Sequence, residues 1–79
     1  MKQTVVITGA SRGIGKETAL RFAKERWNVV INSSKSIEAL NELKDEILSC
    51  GADCLALAGD VQDSGFVHEL MAKSLERFS

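Results

Sequence analysis

Between Val5 and Gly15 the chain reads VVITGASRGIG, in which the apolar run Val5-Val6-Ile7 passes directly into Thr8-Gly9-Ala10-Ser11-Arg12-Gly13-Ile14-Gly15. Thr4 to Thr8 is rich in β-branched residues, is too short for a helix and ends at Gly9, so it predicts a strand buried on both faces. From Ile14 onward, Ile14, Thr18, Ala19, Phe22, Ala23 and Arg26 fall on one stripe at helical spacing, Arg26 through its aliphatic stem, and Trp27 closes the helix. The glycines therefore occupy the turn between a strand and a helix start. That is where backbone N–H groups point outward without internal partners.

The same alternation continues to the end of the sequence. Val29-Val30-Ile31 predicts a second buried strand, and Asn32-Ser33-Ser34-Lys35-Ser36 the turn after it. Ser36 is the expected N-cap of a helix whose apolar stripe is Ile37, Leu40, Leu43 and Ile47, with Gly51 as its C-terminal stop. Leu55-Ala56-Leu57-Ala58 is short, apolar and bounded by Gly51 and Gly59, which favours a third strand over a helix. Asp63 or Ser64 then caps a last helix carrying Val67, Leu70, Met71, Leu75 and Phe78 at helical spacing. The order is βαβαβα. Strands alternating with helices imply a parallel sheet with right-handed crossovers, so the expected sheet order is 3-2-1. The first strand then forms an open edge, whose N–H and C=O groups invite pairing with another chain.

At a helix N-terminus the first N–H groups and the positive end of the helix dipole bind a phosphate, provided that backbone can approach it closely. Gly9 would allow the tight turn out of the strand, Gly13 the close passage of a pyrophosphate, and Gly15 the packing of helix on sheet. A nucleoside-triphosphate P-loop fails on spacing: Lys16 is followed by Glu17 rather than Ser or Thr, and the glycine that motif needs five positions before Gly15 is Ala10. A site reading the 2′-hydroxyl of NAD would carry Asp or Glu near the end of the second strand, about 20 residues past the glycines. Here that position offers Ser33 and Ser34, with Arg12 and Lys35 as cations able to meet a 2′-phosphate.

Composition excludes several other readings. The 79 residues carry ten Lys and Arg against eleven Asp and Glu, a net charge of −1, so there is no long-range attraction to nucleic acid or an anionic membrane. The apolar runs are too short for a membrane span or a signal peptide, which makes the cytoplasm the expected compartment. Cys50 and Cys54 form a C-x3-C pair without the further ligands of a structural zinc site and read as ordinary reduced thiols. His68 is the only histidine and lies in a helical pattern with no triad partner.

TGASRGIG after VVI resembles the cofactor-binding signature T-G-x-x-x-G-x-G of the classical short-chain dehydrogenases/reductases, and the likeness extends over essentially the whole chain. Gly59-Asp60-Val61-Gln62-Asp63 is similar to the family's D-V pair after the third strand. The resemblance implies that Asp60 contacts an adenine amino group and that Val61 lines the adenine pocket. It also implies that Arg12, directly before the second glycine, accompanies NADP(H) preference. The nearest flavour is a 3-oxoacyl-acyl-carrier-protein reductase.

The expected fold is thus a partial Rossmann (doubly wound) α/β fold. Residues 1–79 form the N-terminal half of a dinucleotide-binding domain. The cofactor set is Gly9, Ser11, Arg12, Gly13, Ile14, Gly15, Ser33, Ser34, Asp60 and Val61, with no catalytic residue and no metal ligand. The family's N-N-A-G segment, its catalytic Ser and its Y-x-x-x-K pair have no counterpart, and the sequence contains no Tyr. The expectation is an NADP(H)-binding portion of a reductase that does not turn over alone. The other reading, from a different class, is a non-catalytic nucleotide-binding or assembly module. In either case the expected partners are a dinucleotide and, through the first-strand edge, a second copy or a catalytic half.

Overall fold

A computed structural model describes residues 2–11 and 13–78. Six elements follow one another: β1 (Thr4–Ile7), α1 (Gly13–Lys24), β2 (Asn28–Ser33), α2 (Ile37–Ser49), β3 (Cys54–Ala58) and α3 (Ser64–Phe78). The three strands form one parallel sheet with β2 in the centre, which is the expected 3-2-1 order. Val5 is paired with Val29 and Ile7 with Ile31, while Ile31 is also paired with Ala56 and Ser33 with Ala58.

Strand periodicity divides the side chains between two faces. Val29, Ile31 and Cys54, with the partly buried Val5, Ile7 and Ala56, join Ala19 and Ala23 of α1 and Leu40, Leu43 and Ile47 of α2 in one core. The alternate positions Thr4 and Val6 instead share a groove with Met71, Ser74, Leu75 and Phe78 of α3. Two helices therefore cover one face of the sheet, and α3 lies against the other. All six residues of β2 are buried.

The local signals at element ends are realised as capping geometry. Ser36 accepts a hydrogen bond from the Ala39 N–H, and Gly51 leaves α2 at a φ of 90°. At the end of α1 the Trp27 N–H donates to the Phe22 carbonyl and the Arg26 N–H to that of Ala23. Phe22 and Trp27 meet edge to face, with ring centroids 4.7 Å apart. This is a Schellman closure with its hydrophobic contact, so Trp27 does close the helix, although the α-helix itself ends at Lys24. For α3, Asp63 is the cap: its Oδ1 accepts the Gly65 N–H and its carbonyl accepts that of Val67.

Four expectations need correction. β1 is not buried on both faces, since Thr4 is exposed and Val5, Val6 and Ile7 are only partly covered. As an edge strand it has a neighbour on one side only, among the described residues. Arg26 does not contribute its stem to the α1 stripe. It sits beyond the helix at a φ of 62° and is exposed. Ile14 and Ile37 stand in the first turns of their helices and are 83% and 62% exposed, because both helices begin before reaching the cover of a neighbour. On α3 only Leu70 of the expected stripe is fully buried, together with Ser74, which hides its hydroxyl by donating to the Leu70 carbonyl.

Candidate dinucleotide site

The C-terminal ends of β1 and β2 and the start of α2 converge on one cleft of about 380 Å3. Gly9 and Ser11 line it from the first turn, Ser33, Ser34 and Lys35 from the second, and Ser36 and Ala39 from the start of α2. A crevice at the carboxyl ends of parallel strands is where open α/β sheets bind ligands.

The three glycines do different work. Gly9 and Gly13 have φ values of 62° and 66°, and a Cβ on either would meet nothing within 4 Å. Their requirement is conformational, because an L side chain is disfavoured in the left-handed region, and the space beside them is open. Gly15 is constrained by contact instead: a Cβ there would stand 2.6 Å from the Gly9 carbonyl oxygen and 3.1 Å from the Ala10 Cα. Helix α1 thus rests directly on the turn that precedes it. Its first turn carries no acidic residue, so its outward N–H groups keep their affinity for an anion.

Ser33 and Asn32, the last two residues of β2, hold the neighbouring turns in place. The Asn32 carbonyl accepts the Ala10 N–H at 2.8 Å, and the Ser33 hydroxyl donates to the Ser11 hydroxyl at 3.2 Å. Ser33 Oγ also accepts the N–H of Lys35 at 3.3 Å. Ser33 is 4% exposed, so its hydroxyl acts mainly on the protein around it, whereas Ser34 and Lys35 are exposed at the cleft. Among the described residues Lys35 is the only charged group lining it. The starts of α1 and α2 bring two positive dipole ends to the same region.

Asp60 and Val61 follow β3 and do not line this cleft. Both are exposed, Val61 at 41%. The Asp60 carboxylate accepts the Gln62 N–H at 2.8 Å, and its carbonyl accepts the Asp63 N–H, which fixes a tight turn. Gly59 begins that turn beneath the ring of Phe66, against which a Cβ would collide. Arg12 lies outside the described residues. The feature that sequence reasoning missed is Asn32, whose side chain is aimed at β3. Asn32 and Ser33, read from the sequence as the start of the turn, belong instead to β2, and the apolar pattern that ends at Ile31 gave no signal of it.

Comparison with known proteins agrees with this architecture. The sequence profile of the short chain dehydrogenase family matches residues 3–79. A 3-oxoacyl-[acyl-carrier-protein] reductase of Synechocystis sp. is 38% identical over 77 residues, covering 98% of this chain and 31% of that protein. The solved alcohol dehydrogenase of the archaeon Thermococcus sibiricus, complexed with 5-hydroxy-NADP, superposes with a TM-score of 0.90 at 32% identity, over 99% of this chain and 33% of that one. YwfH, an NADPH dependent reductase involved in bacilysin biosynthesis, superposes with a TM-score of 0.88 at 32% identity, over 99% and 31% respectively. The chain spans about a third of the length of these relatives. With its glycine turn, its parallel sheet and its profile match, the chain belongs to the short chain dehydrogenase family.

Proposed function

We propose that this chain is the NADP(H)-binding portion of a short-chain oxidoreductase, the N-terminal half of a Rossmann domain whose catalytic half lies outside residues 1–79. The observation that supports it best is the cleft at the strand ends, bounded by the glycine turn and the start of α2, with Lys35 as its charged lining group among the described residues. The open space beside Gly9 and Gly13 fits a pyrophosphate passing close to backbone.

In this reading Gly9, Ser11, Gly13, Ile14 and Gly15 surround the pyrophosphate. Arg12, Ser33, Ser34 and Lys35 form the end that distinguishes a 2′-phosphate from a hydroxyl, and Asp60 and Val61 hold the adenine. When bound, the cofactor supplies a hydride to a carbonyl or takes one from an alcohol. The proton that must move with it needs a group of matched acidity. The chain has no Tyr for that role, so we expect the 79 residues alone to be inactive. Mixing the purified chain with NADPH and ketone substrates tests this: absence of steady-state oxidation is the expected result, and measurable turnover would overturn it.

A second reading, a non-catalytic nucleotide-binding or assembly module, is favoured by one observation. The groove of about 270 Å3 between β1 and α3 is lined by Val6, Met71 and Phe78 and lies along the strand edge. An apolar groove beside a strand edge suits pairing with a second copy of the chain. Sedimentation across a concentration series, with and without a separately produced catalytic half, discriminates the two. Tight complementation that restores turnover supports the enzyme portion, and self-association alone supports the module. Among the described residues no helix is long and apolar enough to cross a membrane. The two free thiols, Cys50 and Cys54, suit the reducing cytoplasm in which we place the protein.

A further inference from the structure

We infer that Asn32 is a positioning residue that sets the turn carrying Asp60 and Val61 relative to the glycine turn, an inference that rests on the dinucleotide reading of the site. Asn32 is 2% exposed in the middle strand. Its amide nitrogen donates to the Leu57 carbonyl at 3.2 Å and to the Gly59 carbonyl at 3.0 Å. Its own carbonyl accepts the Ala10 N–H at 2.8 Å. One residue therefore holds the exit of β3 through its side chain and the exit of β1 through its backbone.

The geometry goes beyond satisfying a buried amide. Gly59 is fixed on both sides, because its N–H donates to the Ser33 carbonyl at 3.1 Å while its carbonyl receives the Asn32 amide. The peptide plane that leads into Asp60 is thus oriented by β2, and the Asx turn of Asp60 continues from a defined start. Both Asn32 amide protons are used on this one strand exit, one on each carbonyl, which an apolar residue of equal volume cannot reproduce. Without them the Leu57 and Gly59 carbonyls lose a partner, and the peptide plane leading into Asp60 is tied to β2 by the Gly59 N–H alone. The backbone bond from Ala10 stays in place whatever the side chain, so the glycine turn should respond less.

The test compares the wild-type chain with Asn32→Leu, which keeps the branched heavy-atom skeleton without the amide, and Asn32→Ser, which is smaller, retains one donor and guards against a failure of the first variant to fold. Amide NMR and hydrogen exchange are recorded without ligand, and adenosine 2′,5′-bisphosphate is then titrated. A positioning role predicts shift changes and at least tenfold faster exchange at Gly59, Asp60 and Val61, with the β1–β2 ladder amides unchanged. It also predicts a Kd for the bisphosphate raised about tenfold in Asn32→Leu and less in Asn32→Ser. Uniformly faster exchange across the sheet, or shifts at residues 59–61 unchanged from wild type, would overturn it. So would a Kd within twofold of wild type in a folded Asn32→Leu. If the wild type binds no bisphosphate, the nucleotide reading fails, and the ligand-free shifts and exchange still decide whether Asn32 orients the turn.

Discussion

The Gly9 carbonyl oxygen lies 2.6 Å from the point at which a Cβ on Gly15 would stand, so the turn out of β1 and the first turn of α1 touch backbone to backbone. This contact sets how closely the helix start approaches the strand end. Replacement of Gly15 by Ala must push α1 away from the turn, because the obstructing atoms are backbone and cannot rotate aside. We expect Gly15→Ala to lower stability by about 1–3 kcal/mol, as overpacking does elsewhere, and to weaken NADPH binding with it. Thermal unfolding and calorimetric titration measure the two effects. A Tm equal to wild type would show that the contact is slack.

Gly13→Ala separates strain from space. The site is open, but its φ of 66° disfavours a side chain. The expected loss is about 1 kcal/mol from left-handed backbone strain, smaller than at Gly15. If the cofactor passes where a Cβ would project, its affinity falls by more than the stability change explains. A proportionate loss of both would place the cofactor elsewhere.

Arg26 presents the converse case. It occupies the left-handed position of the Schellman closure, at a φ of 62°, where glycine is the preferred residue. Arg26→Gly should therefore raise stability, by about 0.5–1 kcal/mol once the greater freedom of unfolded glycine is set against the relieved strain. The midpoint of urea unfolding reports it, and a fall in that midpoint would mean that the Arg26 side chain contributes more than its backbone loses.

Much of this was legible in the sequence where the determinant is local. Ser36 as N-cap, Gly51 as helix stop and the strand–glycine–helix order follow from the short-range chemistry of caps and turns, and the structure realises each. The departures are non-local. Whether Val5 to Ile7 are covered depends on what lies beside β1, and whether Ile14 and Ile37 are covered depends on how far each helix has run before meeting a neighbour. Periodicity names a face but not its cover. Asn32 shows the same limit at the site, since an apolar pattern that ends at Ile31 does not reveal that the next amide reaches the carbonyls of Leu57 in β3 and Gly59 just beyond it.

The two cysteines should differ in reactivity. Burial pushes the Cys54 thiol up from 9.0 to about 11, an effect that nearby Lys44 only partly offsets. The folded chain thus holds that proton to higher pH than the unfolded chain. The resulting stability is fully present below about pH 9 and is lost as pH rises towards 11. Alkylation at pH 8, followed by mass spectrometry, is expected to label the partly exposed Cys50 first and Cys54 only as fast as the chain opens. Equal labelling rates in the folded chain would contradict the burial of Cys54.

Cofactor discrimination should reside in Lys35, at the second turn, and in Arg12, which the sequence places in the glycine turn. Lys35→Ala and Arg12→Ala are each expected to raise the Kd for NADPH about tenfold, the loss of one charge-assisted bond, and to leave that for NADH within twofold. Parallel weakening of both cofactors would assign these side chains to the shared pyrophosphate instead.

The most direct measurement is calorimetric titration of the wild-type chain with NADPH and with NADH under identical salt and pH. Saturable one-to-one binding of both, tighter for NADPH, is the expected result. Equal affinities would contradict the 2′-phosphate assignment, and no binding of either to a chain shown by NMR to be folded would contradict the dinucleotide site itself.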